Sequence, residues 1–252
     1  MLRMGDDVAR REDAERAQGC WDSARVDDLA AQAAVRQQTA GGPCRLVFGY
    51  GSLIWRVDFP YTRKFVARLP GKAGYLRRMW MKSADHRGTP AAPGRVCTLV
   101  TASRGEDIIG ICYELPEEEA DSILKQLDYR ERHGYTRTVT QVDQQDGTTA
   151  ETFLYFCMQE LPTTAGSEAP SALVWNEPLE ETAAIIARAV GPSGKNLEYL
   201  ENLCSGLSSI TFLEDKEEKQ EENQKDSGFV DAYLEKLLAN TRLELEAVTP
   251  AA

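Results

Sequence analysis

Histidine is almost absent from this chain, with only His86 and His133 in 252 residues. The six cysteines, Cys20, Cys44, Cys97, Cys112, Cys157 and Cys204, are scattered and include no CxxC pair. Neither a zinc site nor a disulfide framework is indicated, and a Ser-His-Asp triad would have only two histidines to draw on. No apolar run approaches the roughly 18 residues that a membrane span needs. The N-terminus lacks the apolar core of a signal peptide and is too acidic for a transit peptide. Phosphate-cradling GxGxxG and GxxxxGK patterns are missing, and no repeat period suggests a solenoid or propeller. These absences point to a reducing cytoplasm, with no membrane, no cofactor and no metal expected.

What the chain does have is unevenly spread charge. Its formal net charge of −11 argues against an anionic polymer or a membrane surface as partner. Yet between Cys44 and Arg104 twelve Lys or Arg face only Asp58 and Asp85. A basic segment inside an acidic protein suits a small anion, although outward-facing strand residues would give the same count. Arginines beside aromatics in YLRRMW raise single-stranded nucleic acid; the net charge and the lack of a binding motif oppose it, and no nucleic acid is expected.

A hydrophobic content of 42% over this length can bury one good-sized core. Residues 1–43 are poor in apolar side chains and read as a flexible N-terminal arm, with room for a short helix over 27–38. Seven short β-like runs follow: RLVFG, RKFVARL, GYLRRMWMKS, RVCTLVTA, IIGICYEL, YTRTVTQVDQ and ETFLYFCMQ. So many short strands with few long helices between them favour a mixed or antiparallel barrel over a doubly wound sheet. Packing helices are expected over PEEEADSILKQL, from Pro116 to near Asp128, then over PLEETAAIIARAV and NLEYLENLCSGL. The domain so defined covers 44–213. An acidic linker, 214–228, leads to a C-terminal amphipathic helix and tail, 229–252, expected to dock back on the domain.

One stretch does not fit a plain buried strand. LVFGYGSLIW, Leu46–Trp55, places two glycines and a serine inside an apolar run. Glycine allows backbone angles that other residues avoid and exposes its amide, so successive amides can converge on a carboxylate or a developing oxyanion. A turn with a glycine bulge would look the same.

FGYGSLIW, VDFPY, DHRGTPAAPGRVCTLV, LDYRERHGY and GPSGKNLEYL, in that order from about Leu46 to Leu207, resemble the ChaC family of γ-glutamylcyclotransferases. The resemblance implies an α+β fold, a small mixed β-barrel flanked by helices, and glutathione as the small-molecule substrate. It makes Glu131 the catalytic residue and Val47, Phe48, Gly49, Tyr50, Gly51, Ser52 and Leu53 the substrate-binding loop. Arg87 is the first candidate to hold a substrate carboxylate, ahead of Arg45 and Arg95, and Tyr135 and Tyr155 are candidates to close the pocket. On spacing alone the arginines would serve equally as structural ion pairs, the tyrosines as core, and Glu131 as a partner of Arg130 or Arg132. His133 stands where the family usually has glycine, and His86 reads as a hydrogen-bonded structural residue.

The implied reaction is an internal aminolysis: the substrate α-amine attacks its own γ-glutamyl carbonyl, closing 5-oxoproline and expelling cysteinylglycine. It needs no enzyme nucleophile. Glu131 would act as base and then acid, best in a partly dry pocket, with loop amides taking up charge on the oxygen. The alternatives are a cyclotransferase for other γ-glutamyl compounds and a non-catalytic binding module.

Overall fold

The structure is a computed structural model and describes residues 44–131, 135–157, 172–212 and 228–248. The N-terminal arm with its short helix, the acidic run after Leu213, and His133 lie outside these residues. All seven β-like runs form strands: β1 (Leu46–Gly49), β2 (Arg63–Leu69), β3 (Tyr75–Ser83), β4 (Gly94–Thr101), β5 (Ile108–Glu114), β6 (Tyr135–Gln144) and β7 (Thr149–Cys157).

Five of them close a barrel in the order β1-β5-β2-β6-β7. Neighbours are antiparallel except at the closure, where β1 runs parallel to β7 with Val47 opposite Phe153. The barrel is therefore mixed. β3 and β4 pair only with each other. The reason lies in burial: Tyr75 to Met81 are all buried, so β3 needs cover on both faces. At its other edge β3 is bridged by residues 172–174, with Leu173 opposite Met81, and Leu173 also packs with Leu76 and Trp80.

Four helices follow among the described residues, α1 (Ala120–Arg130), α2 (Leu179–Arg188), α3 (Asn196–Ser208) and α4 (Ala232–Val248). α1 starts later and ends later than Pro116 and Asp128, because Pro116 to Glu119 form a separate turn with a Glu119 N–H to Pro116 carbonyl bond of 3.1 Å. Its buried stripe, Ile123, Leu124 and Leu127, packs on Val47, Tyr113 and Phe153 of the barrel wall. α2, α3 and α4 bury Ile186, Leu200, Leu203, Leu234 and Leu237 in the main core with Phe48, Leu69 and Met79. The α4 segment is tied to β3 by an Arg77 to Asp231 ion pair of 2.8 Å and by the Met79 N–H donating to the Tyr233 hydroxyl. Among the described residues no helix is long and apolar enough to cross a membrane.

Candidate active site

β1 delivers the chain to Gly49 at a point where nothing larger fits. A Cβ there would lie 2.6 Å from Leu53 Cβ and 3.3 Å from the Tyr113 ring. Gly51 leaves space beside the Tyr199 hydroxyl and Cys97. Neither glycine has a positive φ; Gly49 is needed for close approach, whereas a Cβ at Gly51 would make only ordinary contacts of 3.4 Å or more. Ser52–Ile54 then form a short 3-10 turn, closed by the Ile54 N–H on the Gly51 carbonyl at 3.0 Å. The Ser52 and Leu53 amides open this turn and have no acceptor among the described residues. Two adjacent free amides are a donor pair for an anionic oxygen.

Glu131 reaches the same place from the other direction, as the residue that caps the C-terminal end of α1, its N–H bonded to the Leu127 carbonyl at 2.9 Å. Its carboxylate accepts from Arg130 Nε at 2.9 Å, and Arg130 in turn holds both Asp58 oxygens at 2.7 Å. Residues 47–53, Arg87, Glu131, Tyr135 and Tyr155 all line one cavity of about 380 Å³.

The floor of the cavity is a net of tyrosines around β4. Tyr50 donates to the Tyr155 carbonyl at 2.7 Å and Tyr135 to the Cys97 carbonyl at 3.1 Å, while the Cys97 N–H donates to the Tyr199 hydroxyl at 3.2 Å. Burial drives the Tyr50 and Tyr135 hydroxyls well above the usual phenol range, and nearby groups that include Glu131 add to the effect. They stay protonated and serve as donors. Burial likewise pushes the Cys97 thiol up to about 12, so it is no thiolate nucleophile at neutral pH.

The chain matches the family model of ChaC-like proteins over residues 45–227. It belongs to the ChaC-like family. It is 32% identical over 210 residues to the glutathione-specific γ-glutamylcyclotransferase of Saccharomyces cerevisiae, spanning 68% of this chain and 88% of that one. It is 36% identical over 175 residues to γ-glutamylcyclotransferase 2-3 of Arabidopsis thaliana, spanning 66% and 81%. A crystal structure of the yeast γ-glutamyl cyclotransferase specific to glutathione aligns with a TM-score of 0.64 at 27% identity, covering 79% of this chain and 96% of that one. The α+β fold, a barrel flanked by helices, is the ChaC-like one.

In this ChaC-like chain the candidate arginines differ in their partners. Arg87 lines the cavity but is engaged, donating to the Lys195 carbonyl at 2.9 Å and pairing with Glu198 at 3.4 Å. Arg95 is buried in a two-point pair with Glu177 and is structural, and Arg45 pairs with Glu117 away from the cavity. Tyr155 bonds Asp128 at 2.7 Å, and His86 bonds Ser193 at 3.1 Å. Sequence reasoning missed Tyr199, Cys97, Asp58, Arg56 and Lys82, which also line the cavity. Tyr199 lay in view within GPSGKNLEYL; Arg56 and Lys82 were visible only as part of the basic segment.

Proposed function

We propose that this ChaC-like chain cleaves glutathione to 5-oxoproline and cysteinylglycine in the cytoplasm. The supporting observation is that Glu131, at the end of α1, and the open amides of the glycine turn, at the end of β1, line one cavity. The cytoplasmic reading is supported by the five described cysteines, all free thiols.

Glu131 takes a proton from the α-ammonium of the glutamyl group. The freed amine attacks the γ-carbonyl carbon, and the new C–N bond closes the five-membered ring. Having both reactants in one molecule, folded into a near-ring pose, can remove roughly 7 to 11 kcal/mol of barrier in favourable cases. The Ser52 and Leu53 amides receive the negative oxygen; losing one such donor typically costs about 3 kcal/mol. Glu131 then returns its proton to the departing amide nitrogen, the old C–N bond breaks, and the ring nitrogen sheds its second excess proton, which the amine of cysteinylglycine takes up as it leaves. Arg130 fixes one carboxylate oxygen and so orients the other. Arg87, Tyr135 and Tyr155 shape the walls that hold the substrate. No step passes through Ser52, which is exposed and has no histidine partner among the described residues, His86 being bonded to Ser193.

Purified protein incubated with glutathione, with both products quantified by mass spectrometry, tests this reading beside a folded Glu131→Gln variant. Equal amounts of both products from wild type, and a rate lower by about a hundredfold or more in the variant, are expected. Wild-type silence on glutathione with turnover of other γ-glutamyl compounds would overturn the substrate; an active variant would overturn the role of Glu131.

A further inference from the structure

The cavity holds more cationic side chains than ring closure uses, and two of its four arginines and lysines are already engaged. Arg130 is shared between Asp58 and Glu131, and Arg87 is held by Glu198 and the Lys195 carbonyl. Arg56 and Lys82 line the cavity with no ion pair or hydrogen bond from their side chains to any described residue. Arg56 is exposed on the segment after the turn. Lys82 differs: it is half-buried, and its backbone is clamped in β3 opposite Arg95 of β4 and bonded to the Ala172 carbonyl at 2.8 Å. A half-buried lysine on a rigid strand, lining a cavity and without a side-chain partner among the described residues, is suited to an anion brought by the ligand.

Its register against β4 says which anion. The Cys97 carbonyl receives the hydroxyl of Tyr135, whose N–H bonds the Glu131 carbonyl at 3.1 Å. Arg95, opposite Lys82, lies two residues further along the strand, roughly 6 to 7 Å at strand rise. Glutathione carries two carboxylates. The α-carboxylate sits on the carbon that bears the attacking amine and stays beside the closing ring. The other ends the departing dipeptide, two residues or about 7 Å away when extended.

Resting on the reading of this cavity as a glutathione site, we propose that the Lys82 ammonium seats the terminal carboxylate of the departing cysteinylglycine. It thereby sets a preference for γ-glutamyl tripeptides that end in a free carboxylate. The test is steady-state kinetics on glutathione and on its glycine amide, using wild type, Lys82→Gln and Lys82→Arg. Wild type should favour glutathione over the amide by about tenfold or more in kcat/KM. Lys82→Gln should lose about that factor on glutathione, through KM with kcat nearly unchanged, while the amide is affected less than about threefold. Lys82→Arg should recover most of the loss. A wild type indifferent to amidation, or a Lys82→Gln loss equal on both substrates, overturns the inference and leaves the glutathione reading standing. Wild-type failure on glutathione overturns that reading and this inference with it.

Discussion

Gly49 is the tightest point of the site. A methyl group there would meet Leu53 Cβ at 2.6 Å, and Leu53 is held in turn by the Tyr113 hydroxyl on its carbonyl. Relief would come only by moving the turn whose Ser52 and Leu53 line the cavity. Gly49→Ala is expected to cost about 1 to 3 kcal/mol of stability by overpacking and to lower turnover of glutathione by more than its stability loss explains. Urea unfolding and product assays on the same preparation measure both; a variant with wild-type stability and rate would show that the turn is loose. Glu131 is legible in sequence only through the LDYRERHGY block, since a glutamate flanked by arginines is by itself an ordinary ion-pair partner. The structure gives it both lives at once, paired with Arg130 and lining the cavity.

The link between α4 and β3 depends on one buried charge. The Arg77 side chain is 1% exposed, pairs with Asp231 at 2.8 Å and donates to the Ile109 carbonyl, so β3, β5 and the start of α4 meet at one guanidinium. Asp231 also caps α4 by accepting the Leu234 N–H at 3.1 Å. Asp231→Asn keeps an acceptor for the cap but leaves Arg77 without its counter-charge, and a loss of about 3 to 5 kcal/mol is expected in urea unfolding. A change under about 0.5 kcal/mol would show that solvent reaches the pair. α4 itself could be read from the apolar spacing of Leu234, Leu237 and Leu238, because a helical stripe is a local signal. Its docking pair could not, since Arg77 and Asp231 are 154 residues apart. Which of the seven strands close the barrel was not legible for a related reason: a strand buried on both faces has no alternation to show which sheet it joins.

Across the whole molecule, the core buries three thiols, of which Cys97 also lines the cavity. Burial pushes Cys97, Cys112 and Cys204 from 9.0 up to about 12. The unfolded chain ionises these thiols above about pH 9 while the native chain does not, so their contribution is level below pH 9 and falls as pH rises towards 12. Each thiol lowers stability by up to about 1.4 kcal/mol per pH unit in that window. Urea unfolding at pH 8 and pH 10 should show the loss; equal or greater stability at pH 10 would mean that the thiols are solvated. The cavity is likewise a property of the whole fold, assembled from β1, β3, β4, α1, β6, β7 and α3, which is why Lys82 and Arg56 carried no local mark in the sequence. The internal attack at the centre of this chemistry is tested most directly by giving the wild-type protein glutathione and, in parallel, glutathione acetylated on its α-amine, and following cysteinylglycine release. Release from glutathione with 5-oxoproline in equal amount, and none from the acetylated compound, is the predicted result. Release of cysteinylglycine from the acetylated compound would contradict it, because water or an enzyme nucleophile would then be cutting the γ-glutamyl bond.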